Sequence, residues 1–329
     1  MRNIKKSNSK KMTAPALRRN SAFAEIIQLK KRPKNRNLKI FVVEGITDKF
    51  LFDNLLKIHR DKFKILPAYR VHFDNSPCSN KNSSRYTPYI TYSYQGQNNK
   101  REVIKTIQKC NNEEIGYLSV YGIIDADFMY ISRKIRYIKN LIYTTYHDID
   151  IEIFTMAGIL DNFLQDFFPE RQLEVDAIRK LCLDIATEFG KYLCILERKR
   201  IYSSERKEKN FLIENYLKVE NSNLSLNVRF IKEDLQNYWN ILSEDIENGM
   251  SNLNLNNQNP KRIANGHSFF AVLWQIKEKE LYGLSRTPKN SEFLNLNFFE
   301  CEKKLKLCYV QAQMFEKNFW DRICDIILE

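Results

Sequence analysis

Two apolar runs in this chain stop abruptly on acid. Residues 39–43 read KIFVV and end at Glu44-Gly45; residues 119–124 read SVYGII and end at Asp125-Ala126-Asp127. Short uninterrupted runs of this kind are expected of strands buried on both faces. Sheets covered on both faces are parallel, and their strands deliver their carboxyl ends to one edge. Glu44, Asp125 and Asp127 are therefore expected at one sheet edge, however distant in sequence. Three carboxylates gathered there repel one another unless a cation joins them. Hard divalent ions take oxygen ligands of this sort, Mg²⁺ foremost and Mn²⁺ as its alternative. The pattern points to metal-dependent phosphate chemistry.

The flanking sequence predicts an α/β fold, a Rossmann-like parallel sheet flanked by helices, with a mostly helical C-terminal lobe. Thr47 is the expected cap of a helix reaching about Lys57. Residues 75–85, rich in Ser and Asn, read as a loop, and 88–94 (PYITYSY) as the second strand. A helix over 100–110 leads to the strand over 117–124. The spacing then predicts a helix over 128–140 and a fourth strand over 141–146. That strand runs into Asp148, Asp150 and Glu152, which share one side if extended. From about 153 the periodicity is helical: 153–168, then 170–198 with a break expected at Gly190, then 268–281, 297–307 and 309–328. Residues 220–228 and 251–259 are Asn-rich and read as loops. The expected organisation is a basic arm over 1–38, the sheet domain over 39–155 and the helical lobe over 156–329.

Charge is unevenly placed. Of the net +13, residues 1–39 hold thirteen Lys/Arg against one acid, a balance of +12. A basic arm binds nucleic acid through phosphates or is a solvated tail. Residues 14–31 also carry Leu17, Phe23, Ile26, Ile27 and Leu29, which suits an amphipathic helix docking on the body or on a partner. We expect the partner. No apolar run approaches the roughly 18 residues of a membrane span, so no membrane is expected. The seven cysteines are scattered, without CxxC or zinc-ligand spacing, as expected of reduced thiols in a cytoplasmic protein. No GxxxxGK[ST] or GxGxxG motif occurs.

Other candidates cluster near the same edge. Lys100 and Arg101 open a helix there and suit a phosphate, although ordinary surface charge is the slightly favoured account. His147 is a candidate acid/base or a hydrogen-bonded partner of the neighbouring aspartates. Asn265-Gly266-His267 reads as a helix cap, with His267 a distant site candidate.

The order strand–Glu-Gly–helix, then strand–Asp-x-Asp, resembles the TOPRIM domain of topoisomerases, primases and OLD-type nucleases. More closely, VEGITDKFLFDNLL (43–56), IIDADF (123–128), YHDIDIEIF (146–154) and NGHSFFAVL (265–273) resemble the TOPRIM-related effector family AriB of the PARIS anti-phage defence system. The resemblance covers roughly 38–155 and the 265–273 patch. It implies Glu44 as general acid/base, Asp125 and Asp127 as Mg²⁺ ligands, and an ABC-type ATPase (AriA-like) that holds the effector until infection. It further implies a nuclease with tRNA as target; a homo-oligomer is compatible with it. Many TOPRIM members carry a third acid where this chain has Met129; Asp148 or Asp150 is the expected replacement. Met129 keeps open a non-catalytic regulator that binds nucleotide or metal, and a DNA-directed OLD-type nuclease is a further alternative.

Overall fold

The computed structural model describes residues 22–68, 96–113, 119–156, 158–167, 173–199, 211–284, 297–312 and 317–328. The strand expected over 88–94, the loop over 75–85 and residues 1–21 of the basic arm lie outside these. The fold is mixed α/β and mostly helical, built on a four-stranded parallel sheet.

Helix α1 (Ala22–Lys30) precedes strand β1 (Lys39–Val43), helix α2 (Ile46–Leu55), strand β2 (Phe63–Pro67), helix α3 (Gly96–Asn112), strand β3 (Val120–Ile124) and strand β4 (Leu141–Tyr143). The sheet order is β2-β1-β3-β4, all parallel, with Ile40 in register with Lys64 and Val120. Strand β2 was not expected. It is only five residues long and ends on Pro67; among the described residues it is an edge strand, where a proline is tolerated.

Alternation along the strands makes two cores. Phe41, Val43, Ile65, Ile123 and Ile142 face one side, where α2 supplies Leu51, Phe52 and Leu55. Ile40, Val42, Leu66, Ile124 and Leu141 face the other, where α3 supplies Val103 and Ile107. Gly122 is what lets α3 lie so close: a Cβ there would sit 2.7 Å from Ile107. Helix α1 joins this second layer through Phe23, Ile26 and Leu29, all buried. Each contributes about 1.5–3 kcal/mol of apolar burial. Of the arm's apolar residues, Phe23, Ile26 and Leu29 are thus used within the chain, and Leu17 lies outside the described residues.

The first core continues without a break into the helical part. Helices α4 (Ile149–Phe154), α5 (Ile159–Phe167) and α6 (Val175–Arg198) lead to a hairpin of β5 (Leu217–Glu220) and β6 (Asn223–Leu226), followed by α7 (Val228–Asn237), α8 (Ser243–Asn252), α9 (Gly266–Glu278), α10 (Phe298–Ala312) and α11 (Lys317–Leu328). Trp320 of α11 packs on Phe52 of α2 with ring centroids 5.3 Å apart.

Four expectations need correction. Residues 128–140 are turns and irregular chain, not a helix. Ile131 and Ile138 suit a helical stripe by spacing, but Ile131 enters the first core and Ile138 packs on the second, on opposite faces of the sheet. Arg133, at φ 52°, is left-handed and stops any helical turn. Residues 149–154 are helix rather than extended strand, because Asp148 caps them by accepting the Ile151 N–H at 2.7 Å. Helix α6 runs unbroken through Gly190, whose missing Cβ admits the Ile263 carbonyl. Part of the Asn-rich 220–228 segment is the β5–β6 hairpin, turning on Asn221 and Ser222, both with positive φ as a two-residue hairpin turn requires. Among the described residues no helix is long and apolar enough to cross a membrane.

Candidate active site

The chain leaves β1 to build α2 and β2 on one side of the sheet and returns through α3 to build β3 on the other. The carboxyl ends of β1 and β3 therefore flank the point where strand order reverses, the usual ligand crevice of an open α/β sheet. Glu44 leaves β1 there and Asp125 leaves β3. They meet: Glu44 Oε1 accepts the Asp125 N–H at 3.0 Å. Asp125 Oδ1 accepts the Ile149 N–H at 3.2 Å, at the start of α4. Asp48, in the first turn of α2, accepts the Gly45 N–H at 2.8 Å. This makes Gly45, not Thr47, the helix cap. Glu44, Asp48 and Asp125 line one narrow cleft together with Val43, Phe52 and Ile123.

Asp127 is turned by a left-handed backbone at φ 45°, with its N–H held by the His147 carbonyl at 2.6 Å. Aspartate tolerates this conformation better than most residues. Its carboxylate does not touch Glu44 directly. Lys100 lies between them, paired with Asp127 and 3.9 Å from Glu44 Oε1. Lys100 thus neutralises the acids rather than standing free for a phosphate, while Arg101 is exposed.

Asp148 is committed to structure. It caps α4, accepts the Gly266 N–H at 3.0 Å and holds His147 Nδ1 at 2.9 Å. Gly266 lies so close to α4 that a Cβ would meet the Cβ of Asp150 at 2.2 Å. Asp150 pairs with Lys306 of α10 at 2.8 Å, and Lys306 also reaches Glu302. Glu152 turns back to accept the Thr145 and Tyr146 N–H groups, shaping the loop behind the site. His267 is exposed with its ring on Phe298, away from the cleft.

Burial and the crowding of like charge both raise the proton affinity of these acids. Burial foremost pushes Glu44 up to about 8; Asp48 and Asp127 add to this, while Lys100 opposes it. Asp125 is raised well above the usual range by burial, then by Glu44, Asp148 and Asp48. Burial alone would lower Lys100, but the carboxylates of Asp127 and Glu44 outweigh it and raise it. Crowded carboxylate oxygens are the donor type a hard divalent cation takes, and Lys100 already holds part of that place. Among the described residues no group of three His, Cys, Asp or Glu side chains is already gathered as a metal site.

Sequence reasoning missed three contributors. Asp48 sits one turn beyond Glu44, a spacing that signals it once α2 is accepted. Glu197, at the end of α6, has its carboxyl raised by burial and by Asp127; nothing local predicts that approach. Lys306 comes from α10, equally without a local signal. No protein-family model matches the chain, and no curated protein matches it.

The raised acids predict a pH response. A carboxyl protonated more readily when folded stabilises fully below its unfolded value and loses that contribution as pH rises through its folded value. Glu44 (4.5 to about 8) and Asp150 (3.8 to about 7) both act so. His147, raised by its bond to Asp148 against burial, has the same sign. In EDTA the melting temperature should fall between about pH 5 and 8. Glu44→Gln should flatten that fall. A profile identical in the two proteins would remove Glu44 from the account.

Proposed function

We propose that the chain is a TOPRIM-like, Mg²⁺-dependent nuclease effector acting on RNA, with tRNA as the expected target and an ABC-type ATPase as its restraining partner in the cytoplasm. The observation that carries the reading is the junction of Glu44 and Asp125 at the strand-order switch point, with Asp127 joined through Lys100. Asp125 and Asp127 would hold the ion, with Asp48 beside them. A bound Mg²⁺ supplies charge neutralisation at a phosphodiester and at the oxygens entering and leaving it. Glu44 manages the proton. Its Oε1 is fixed by the Asp125 N–H, and its raised affinity leaves a proton available near neutral pH. The apolar lining limits water at the acids.

Expression of the chain without its partner should arrest growth with fragmented RNA, and Glu44→Ala should lift the arrest without loss of soluble protein. A panel of tRNA, other RNA and DNA, each with Mg²⁺ or EDTA, separates this from a DNA-directed OLD-type nuclease. Full toxicity of a folded Glu44→Ala protein would remove the catalytic assignment. A second reading, a regulatory subunit binding metal or nucleotide, is favoured by Met129 in place of a third acid and by Lys100 among the carboxylates. It predicts metal binding without cleavage of any substrate.

A further inference from the structure

The connection from β3 to β4 starts at Asp125, carries Asp127 and does more than link strands. It is fastened at both ends. Ile131 enters the first core, Lys134 N–H bonds the Met129 carbonyl at 2.9 Å, and Leu141 N–H bonds the Ile138 carbonyl at 3.0 Å. Ile138 packs on the opposite face. Among the described residues β4 is the last strand of the sheet, and the connection beside it crosses from one face to the other. Arg133, Lys134, Arg136 and Tyr137 are exposed on it, Tyr137 at 94%. Among the described residues Arg133, Lys134 and Arg136 make no ion pair with any acid. A cationic edge alone serves to keep sheets from pairing edge to edge. That role needs no aromatic ring standing in water. Tyr137 is the most exposed of the large apolar side chains described.

We propose that residues 133–137 bind the substrate strand as single-stranded nucleic acid, with a base stacked on Tyr137 and phosphates on Arg133, Lys134 and Arg136. This rests on the nuclease reading for calling the bound strand a substrate. Stacking on an aromatic side chain needs an unpaired base, whose face a duplex hides; phosphate contacts need only charge. The fastened ends make the segment a rigid platform beginning beside the acids. A strand lying on it passes Asp127, since Lys134 is tied to Met129.

The test uses the full chain in EDTA, with fluorescein-labelled oligouridine and a blunt RNA duplex of equal length, titrated by anisotropy at several salt concentrations. Tyr137→Ala should weaken oligouridine binding about tenfold, as expected for one lost stack. The salt slope and duplex affinity should stay unchanged, and Tyr137→Phe should restore binding. The triple change Arg133→Gln, Lys134→Gln, Arg136→Gln should flatten the slope of log affinity against log salt by about 2. Unchanged oligouridine affinity in Tyr137→Ala, or an equal loss for the duplex, overturns the proposal. So does a triple variant that aggregates yet keeps the parent slope, which would make the cations edge protection. Cleavage assays with Mg²⁺ separate the two readings. Binding as described without cleavage keeps the platform and fells the nuclease; cleavage and binding unaffected by Tyr137→Ala keep the nuclease and fell the platform.

Discussion

Asp125→Asn should lose more than about a hundredfold of the proposed metal-dependent cleavage, since changes even to residues behind metal ligands cost about 10–100-fold. The same protein should melt higher than the parent in EDTA. Both follow from one fact: the Asp125 carboxyl is buried beside Glu44, Asp48 and Asp148, which raise its proton affinity. Asparagine keeps the Oδ1 that accepts the Ile149 N–H and keeps the shape, but removes the repelling charge. A gain of about 1 kcal/mol would raise the melting temperature by about 1–3 °C in a chain of this size. Activity and melting are to be measured on one preparation. An active, folded Asp125→Asn protein would take Asp125 out of the metal set; an inactive one that melts lower would make the aspartate a structural part.

Lys100→Met should have the opposite signature. Its ammonium is the cation lying between Glu44 and Asp127, with the lysine side chain 15% exposed and that of Asp127 41% exposed. Breaking a fully buried pair costs about 3–5 kcal/mol, but water reaching Asp127 reduces this to about 1–3 kcal/mol. In EDTA the variant should therefore melt several degrees lower. Added Mg²⁺ should raise its melting temperature by more than it raises the parent's, because the ion no longer competes with an ammonium for the same oxygens. Equal Mg²⁺ responses in the two proteins would mean that the ion does not sit where Lys100 sits.

The sheet edge was legible because burial on both faces leaves apolar runs whose ends are chemically obvious; Glu44 and Asp125 follow from that logic. The 147–154 segment was not. Asp148, Asp150 and Glu152 alternate as in a strand, yet Asp148 caps a helix and sends the other two to different partners. Local spacing cannot distinguish these outcomes, because the deciding contacts come from Gly266 and Lys306, far along the chain. The 128–140 segment was misread for a related reason. Its isoleucines are spaced for one helix face, but tertiary packing gives them to two cores. Arg133, Lys134, Arg136 and Tyr137 lie in this same segment, exposed on irregular chain.

The seating of Trp320 on Phe52 has a consequence for how the protein is made. About 270 residues separate the two, and a ribosome adding about 5–20 residues per second needs roughly 13–54 s to pass from one to the other. Once β4 has been made, the α2 face of the sheet is present for the rest of that interval without the helix that seals it. A nascent chain in this state offers apolar surface to whatever is nearby. A chaperone or a partner that engages during synthesis therefore meets a different surface from one that arrives after release.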